Sequence, residues 1–234
     1  MNYLQIGQRL AKEADISGAS NGTLPATMAG QAGEMLSVVQ WVNDAYEQIQ
    51  NLNNGNWLFL RFDFTFNTTN AKSNYTSSDA GLSEFDDWKN ETTDDRLRTY
   101  LTTDGNTKEQ WMTFVPWEKF RVTYGFGANR ATTGRPIFYT FKPDKSVTFY
   151  PIPDDTYTIV GEYFKRAQLM VADADAPLFP RYYHMTIVWY ALMNYAGFNT
   201  ASATYAHAKN RYDELMNGLQ GDQLAAIGIA GSLI

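Results

Sequence analysis

Two histidines and three adjacent acid pairs are the residues of this chain best suited to chemistry. His184 and His207 are the only imidazoles, and no carboxylate lies three or four residues from either. A helical metal site needs that spacing, because it stacks two ligands one turn apart on one face. Asp86-Asp87, Asp94-Asp95 and Asp154-Asp155 offer carboxylates to calcium or to glycoside hydrolysis. None of them has the spaced Asp-X-Asp-X-Asp-Gly order of a calcium loop. A glycosidase pair must also face one cleft from rigid elements, which adjacency in sequence does not arrange. The absence of cysteine removes thiolate nucleophiles and zinc-thiolate sites. Gly125-Phe126-Gly127 is too short to cradle phosphate, and no Gly-X-Ser-X-Gly elbow is present. The chain is therefore expected to be no enzyme, with no catalytic residue, no cofactor and no metal.

Surface chemistry is the next possibility. From Lys119 to Pro143 there is no acid, and Lys119, Arg121, Arg130, Arg135 and Lys142 lie close to aromatic residues. That weakly resembles a nucleic-acid surface. The whole chain carries a formal charge of −6, however, and affinity for phosphate backbones comes from excess cations. Trp88, Trp111 and Trp117 are candidates to stack on sugars, although packing in a core or an interface is the expectation.

The elements that must hold these residues fall into three blocks. Helical periodicity covers residues 2–15 and 31–52, then 181–198 and 200–219. The second helix is the clearest. Met35, Val38, Val42, Tyr46, Ile49 and Leu52 share one face, while Ser37, Gln40, Asp44, Glu47 and Asn51 fall largely opposite. It closes at Asn53-Asn54-Gly55, where Gly55 supplies the left-handed residue. The fourth helix has Ala208, Tyr212, Leu215 and Leu219 on one face and ends near Gly218 to Gly221.

Between the helical blocks the period switches from 3.6 to 2. Residues 57–66 read as a strand with Leu58, Leu60, Phe62, Phe64 and Phe66 on one face. Residues 68–95 read as an exposed acidic loop, and shorter strands are expected at 96–101 and 111–115. Residues 137–141, 147–150 and 157–164 read as a three-stranded antiparallel meander. Everything from Trp57 to Phe164 is expected to be strands, turns and loops.

No Asp, Glu, Lys or Arg occurs between Arg181 and Lys209, and residues 182–198 are apolar on every side of the helical wheel. Such a helix must be buried all round, by its own bundle or by a neighbouring subunit. A membrane span is disfavoured, since the run is shorter than the ~20 residues a bilayer needs. It also contains His184, Thr186 and Asn194. The interrupted apolar pattern of the first ten residues is not that of a signal peptide. After the last helix, Gln223 to Ile234 is uncharged, and Leu224, Ile227, Ile229, Leu233 and Ile234 are too apolar for a solvated end. Docking of that tail into a partner is expected.

The fold class is therefore α+β: a helical bundle built from both ends of the chain, carrying a β-rich antiparallel insertion. The expected divisions are 1–55 and 166–220 for the bundle, 56–165 for the insertion and 221–234 for the tail.

This order of segments resembles the head-to-tail adaptor (connector) proteins of tailed bacteriophages. Asn2-Tyr3-Leu4, Arg9-Leu10 and Glu13-Ala14-Asp15-Ile16-Ser17-Gly18 are similar to their first helix and its turn. Pro25-Ala26-Thr27, Gly30-Gln31-Ala32-Gly33-Glu34, Trp41-Val42-Asn43-Asp44-Ala45-Tyr46 and Ile49-Gln50 are similar to the second helix and its lead-in. Trp57-Leu58-Phe59-Leu60-Arg61 resembles the first strand. Phe149-Tyr150-Pro151-Ile152-Pro153 and Glu162-Tyr163-Phe164-Lys165 resemble the late meander, and residues 180–219 the closing helix pair.

The resemblance implies a structural virion protein at the head–tail junction, assembled in the host cytoplasm. It implies a homo-oligomeric ring, usually twelvefold, beneath the portal protein. The ring would extend the DNA channel without binding DNA specifically and offer a platform for tail, nozzle or fibre proteins. In such adaptors the C-terminal segment commonly reaches the portal, which makes Leu224, Ile227, Ile229, Leu233 and Ile234 the portal-binding candidates. A closed ring needs two different apolar faces per subunit. Tyr183, Trp189 and Tyr190 of the third helix, with Arg130 and Arg135 of the basic stretch, are the subunit-interface candidates. The alternatives are a carbohydrate-binding or carbohydrate-active tail protein using Asp86, Asp87 and the insertion's aromatics, or another tail-completion module.

Overall fold

The computed structural model describes residues 1–16, 24–89 and 96–224. Helices stand at both ends of the chain and a β-rich segment between them, an α+β arrangement. The chain divides into two compact units, Met1–Leu60 with Ala167–Ile234, and Arg61–Arg166.

The first unit contains α1 (Tyr3–Glu13), α2 (Glu34–Asn51), α4 (Met185–Phe198) and α5 (Ser202–Gln223). Asn2 starts α1 with a capping box: its side chain accepts from the Gln5 amide at 2.9 Å, and Gln5 returns the bond at 3.1 Å. Tyr3, Ile6 and Leu10 from α1 meet Val38, Val42, Tyr46 and Ile49 from α2 in the core, as the spacing requires. Three successive left-handed residues, Asn53, Asn54 and Gly55, turn the chain after α2; the asparagines share the work expected of Gly55 alone.

Two amides of α2 then clamp the returning chain. Gln50, fully buried, donates to the Gln168 carbonyl at 2.8 Å and accepts its N–H at 2.9 Å. Asn43, two turns earlier on the same face, does the same to Met170, with both bonds at 3.1 Å. Each side chain thereby imitates a strand partner for a segment with no strand beside it.

α4 is covered by its own unit over most of its length, packing against α1, α2 and α5. All-round burial is not reached: Met185, Tyr190, Met193, Asn194 and Tyr195 are half-buried, and Gly197 and Phe198 at its end are exposed. α5 continues through both Gly218 and Gly221 to Gln223, past the expected stop. Gly218 serves packing: a Cβ there would lie 3.1 Å from the Tyr183 ring.

Among the described residues, the second unit holds nine short strands and α3 (Trp117–Thr123). β9 (Tyr157–Lys165) is central to one sheet, pairing antiparallel with β1 (Arg61–Asn67) on one edge. Its other edge takes β4 (Arg98–Leu101), which pairs with β5 (Gln110–Trp111), and β3 (Phe85–Trp88). The second sheet runs β2 (Asn74–Tyr75), β8 (Val147–Tyr150), β7 (Phe138–Phe141), β6 (Thr113–Phe114). Phe64 and Phe66 of β1, Tyr75, Trp88, Tyr139, Phe149 and Tyr163 meet in one aromatic core fed by both sheets.

Several expectations are corrected here. The strand begins at Arg61, because Leu58–Leu60 is a 3-10 turn that buries Trp57 and exposes Leu58. Residues 68–89 are no exposed loop: Tyr75, Ala80 and Trp88 enter the core. The meander is broken after β8. Pro151 and Pro153 lack N–H groups and cannot extend a ladder, and β9 instead joins β1 in the other sheet. There Asp63 sits directly opposite Glu162, and Arg61, one diagonal step away, pairs with Glu162 to offset the like charges. β6 and β7 are parallel, so the insertion is mixed rather than wholly antiparallel. A helix, α3, forms where only strands, turns and loops were expected.

Candidate functional site

The acid pairs are engaged in local structure. Asp86 and Asp87 share the Lys145 ammonium at 3.2 and 3.6 Å, beside a polar cleft of about 400 Å³ that Asp144 and Ser146 also line. Asp154 accepts the Tyr157 hydroxyl at 2.8 Å, and Asp155 accepts the Thr156 N–H at 2.7 Å. Burial, reinforced by Asp154, pushes the Tyr157 phenol up to about 12. Asp94 and Asp95 lie outside the described residues. Among those described, no cluster of three His, Asp or Glu side chains is placed to hold a metal.

The two histidines have different settings. His184 is buried, with Nε2 3.0 Å from the Phe179 carbonyl and Nδ1 2.7 Å from the Met1 amine. Desolvation lowers its pKa, with the Met1 amine acting in the same direction. His207 is exposed and meets the Trp189 ring edge-on, 5.6 Å between centroids. The His207 and Trp189 rings line an open groove of about 500 Å³, flanked by the Arg9–Glu13 and Arg211–Glu214 ion pairs.

Of the predicted interface residues, Trp189 lines this groove, while Arg130 and Arg135 belong to the second unit. Tyr182 and Tyr183 form a 3-10 turn before α4, with Tyr182 77% exposed and Tyr183 packed over Gly218. Trp189 is buried within the groove floor, and Tyr190 is half-buried against Tyr212 at 5.3 Å. Burial pushes the Tyr212 phenol up to about 12. Arg135 is committed inside its own chain: its Nη2 donates to the Thr99 and Lys108 carbonyls at 2.6 and 3.1 Å. Arg130 is exposed in the 3-10 turn Gly127–Ala131.

Of the tail candidates, Leu224 alone lies within the described residues. It leaves the end of α5 and forms an isolated antiparallel bridge with Trp57, whose side chain is fully buried. Ile227, Ile229, Leu233 and Ile234 lie outside them.

Of the three tryptophans, Trp88 is a core residue whose Nε1 donates to the Lys145 carbonyl at 2.8 Å. Trp111 is 53% exposed, with Arg96 and Arg98 over its ring. Trp117 is half-buried under the Lys142 ammonium.

The arm formed by α3 and the turn after it carries much of the basic stretch, and its helix and exposed apolar residues are what the sequence reading lacks. Phe120 is buried, and Tyr124 stacks on Tyr150 at 4.3 Å and on Phe138 at 5.1 Å. These rings fix the arm, while Val122 and Phe126 stand 68% and 78% exposed. Two glycines shape its bend: a Cβ on Gly125 would lie 2.7 Å from the Arg121 carbonyl, and Gly127 has a φ of 62°. The pairing of Gly125 with Gly127 in the sequence is the available signal for this bend.

No helix among the described residues is long and apolar enough to cross a membrane. The sequence model of the family described as SU10 adaptor protein matches residues 1–229. No curated protein matches the chain.

Proposed function

From the premise that the chain belongs to the SU10 adaptor protein family, a family of phage structural proteins, we propose that it forms a ring at the head–tail junction of the virion. In this reading the ring binds beneath the portal protein, extends the DNA channel and carries tail, nozzle or fibre proteins. A twelvefold ring is the copy number proposed. The family match across nearly the whole chain is the observation that carries the reading.

Three physical features support it. The α5 terminus is tied to Trp57 through Leu224, so the uncharged residues beyond it depart from a fixed point. The second unit exposes Val122 and Phe126 on a braced arm, which is costly for a solitary molecule. A net charge of −6 suits a DNA conduit, since like charge opposes adhesion of the moving genome.

Removing residues 225–234 tests the portal contact and leaves all of α5 in place. The truncated protein is expected to keep its circular dichroism spectrum and to lose binding to portal in native mass spectrometry. Undiminished portal binding by the truncated chain would refute the role given to Ile227, Ile229, Leu233 and Ile234.

A further inference from the structure

We infer that the arm of one copy docks on the outer face of α2 of the next copy, so that these two unlike surfaces form the repeating contact of the ring. The inference rests on the ring reading above and assigns it specific faces.

The arm is apolar and basic. Five of the chain's 19 Lys and Arg, and none of its 25 Asp and Glu, fall between Lys119 and Pro143. Arg135 is spent on backbone carbonyls and Arg121 pairs with Glu118 at 2.9 Å. Lys119 and Arg130 remain as the exposed charges flanking Val122 and Phe126. The anchoring stacks of Tyr124 mean that little ordering cost remains to be met on docking.

The α2 face has the opposite character. Leu36, Gln40, Asp44, Glu47 and Asn51 are exposed at spacings of three and four, which aligns them along one stripe. The helix contains no Lys or Arg, so nothing within it offsets Asp44 and Glu47. Leu36 adds an exposed apolar contact at one end of the stripe. A cationic apolar arm and an anionic stripe with its own exposed leucine are complementary in charge.

A second copy is the occupant favoured, because both faces belong to the same chain and differ from one another. An interface between unlike faces is heterologous and closes into a ring when its rotation allows. A twofold contact would instead require each face to match itself, and two basic arms or two acidic stripes would repel.

Charge reversal separates the possibilities. Lys119→Glu with Arg130→Glu reverses the arm, and Asp44→Lys with Glu47→Lys reverses the stripe. Each pair is expected to lower the ring fraction at least tenfold in native mass spectrometry with portal present, with an unchanged circular dichroism spectrum. The chain carrying all four substitutions is expected to regain rings, since both signs are exchanged together. Wild-type ring formation by either half-reversed protein would overturn the inference, as would a folded four-substituted protein that stays monomeric. So would an arm-reversed protein that closes rings but loses a tail or fibre protein. If the wild-type chain forms no ring with portal, the ring reading itself falls, and this contact falls with it.

Discussion

The helical unit and the strand unit solve the problem of a defined interior in opposite ways. The helical unit fixes its non-helical segment with amide side chains: Asn43 and Gln50 each form a reciprocal pair of hydrogen bonds with passing backbone. The strand unit relies on rings that meet edge to face and in offset stacks, such as Phe64 on Trp88 at 5.2 Å and Trp88 on Phe141 at 5.4 Å. Hydrogen bonds specify position because a misplaced buried amide loses its partners. Ring packing specifies position because it leaves no room to shift. The first unit should therefore be most sensitive to deleted polar atoms, and the second to added carbon.

Gly161 is where added carbon should do most damage. It sits in the middle of β9, and a Cβ there would run into the Leu97 side chain and come within 2.9 Å of the Phe64 ring. Gly161→Val is expected to cost about 3 kcal/mol, the upper part of the usual range for overpacking. Denaturant unfolding measures the loss, and hydrogen exchange should locate it in β1 and β9. Partial recovery when Leu97→Ala is added would identify the clash as the cause. A stability change confined to the helical unit would break the comparison.

Gln50→Leu should hurt the helical unit next most. It keeps an apolar side chain of similar length while removing both bonds to the Gln168 backbone and a third to the Tyr46 carbonyl at 3.1 Å. The expected cost is about 2 kcal/mol, read from the same unfolding curves. An equivalent loss of polar atoms at Thr140 in the strand core is expected to cost less, because its buried hydroxyl has no hydrogen-bond partner.

How much of this could be read from residues alone follows from the range of the interactions. The helices of the first unit were legible because their signal is local: Val38, Val42, Tyr46 and Ile49 declare a face within three turns. The strand β1 was legible from Phe62, Phe64 and Phe66 for the same reason. The sheet order was not, because β1 and β9 lie about a hundred residues apart and nothing in either names its partner. Tyr75 and Trp88 were hidden among polar and acidic neighbours, so a loop was the local reading of segments that insert into a distant core. The clamps of Asn43 and Gln50 likewise need the position of Gln168 and Met170 before their purpose can be seen. The interface candidates divide in the same way. Arg130 is exposed, while Arg135 satisfies carbonyls that no local pattern brings near it.

Acid should separate the two units more gently than either substitution. The only histidines of the chain lie in the helical unit, and burial lowers the pKa of His184 below its ordinary 6.5. A depressed folded-state pKa means that the unfolded chain binds the proton first. The contribution of His184 is thus fully present above about pH 6.5 and is lost as pH falls through the folded value, with a slope no steeper than ~1.4 kcal/mol per pH unit for one proton. Desolvation lowers the Met1 amine in the same sense, beginning from its higher ordinary value of 8.0. The strand unit has no histidine, and its carboxylate Asp79 is drawn down to about 2 by Lys72 and the Thr76 backbone. Its acid sensitivity therefore begins only when carboxylates protonate, below about pH 4. The protection of α4 amides, relative to their intrinsic exchange at each pH, is expected to fall as pH drops below 6.5 while that of β9 is kept. In His184→Gln, which cannot titrate, that fall in α4 protection should shrink. Equal loss of protection in both units would show that they open together and that their interiors are not maintained separately.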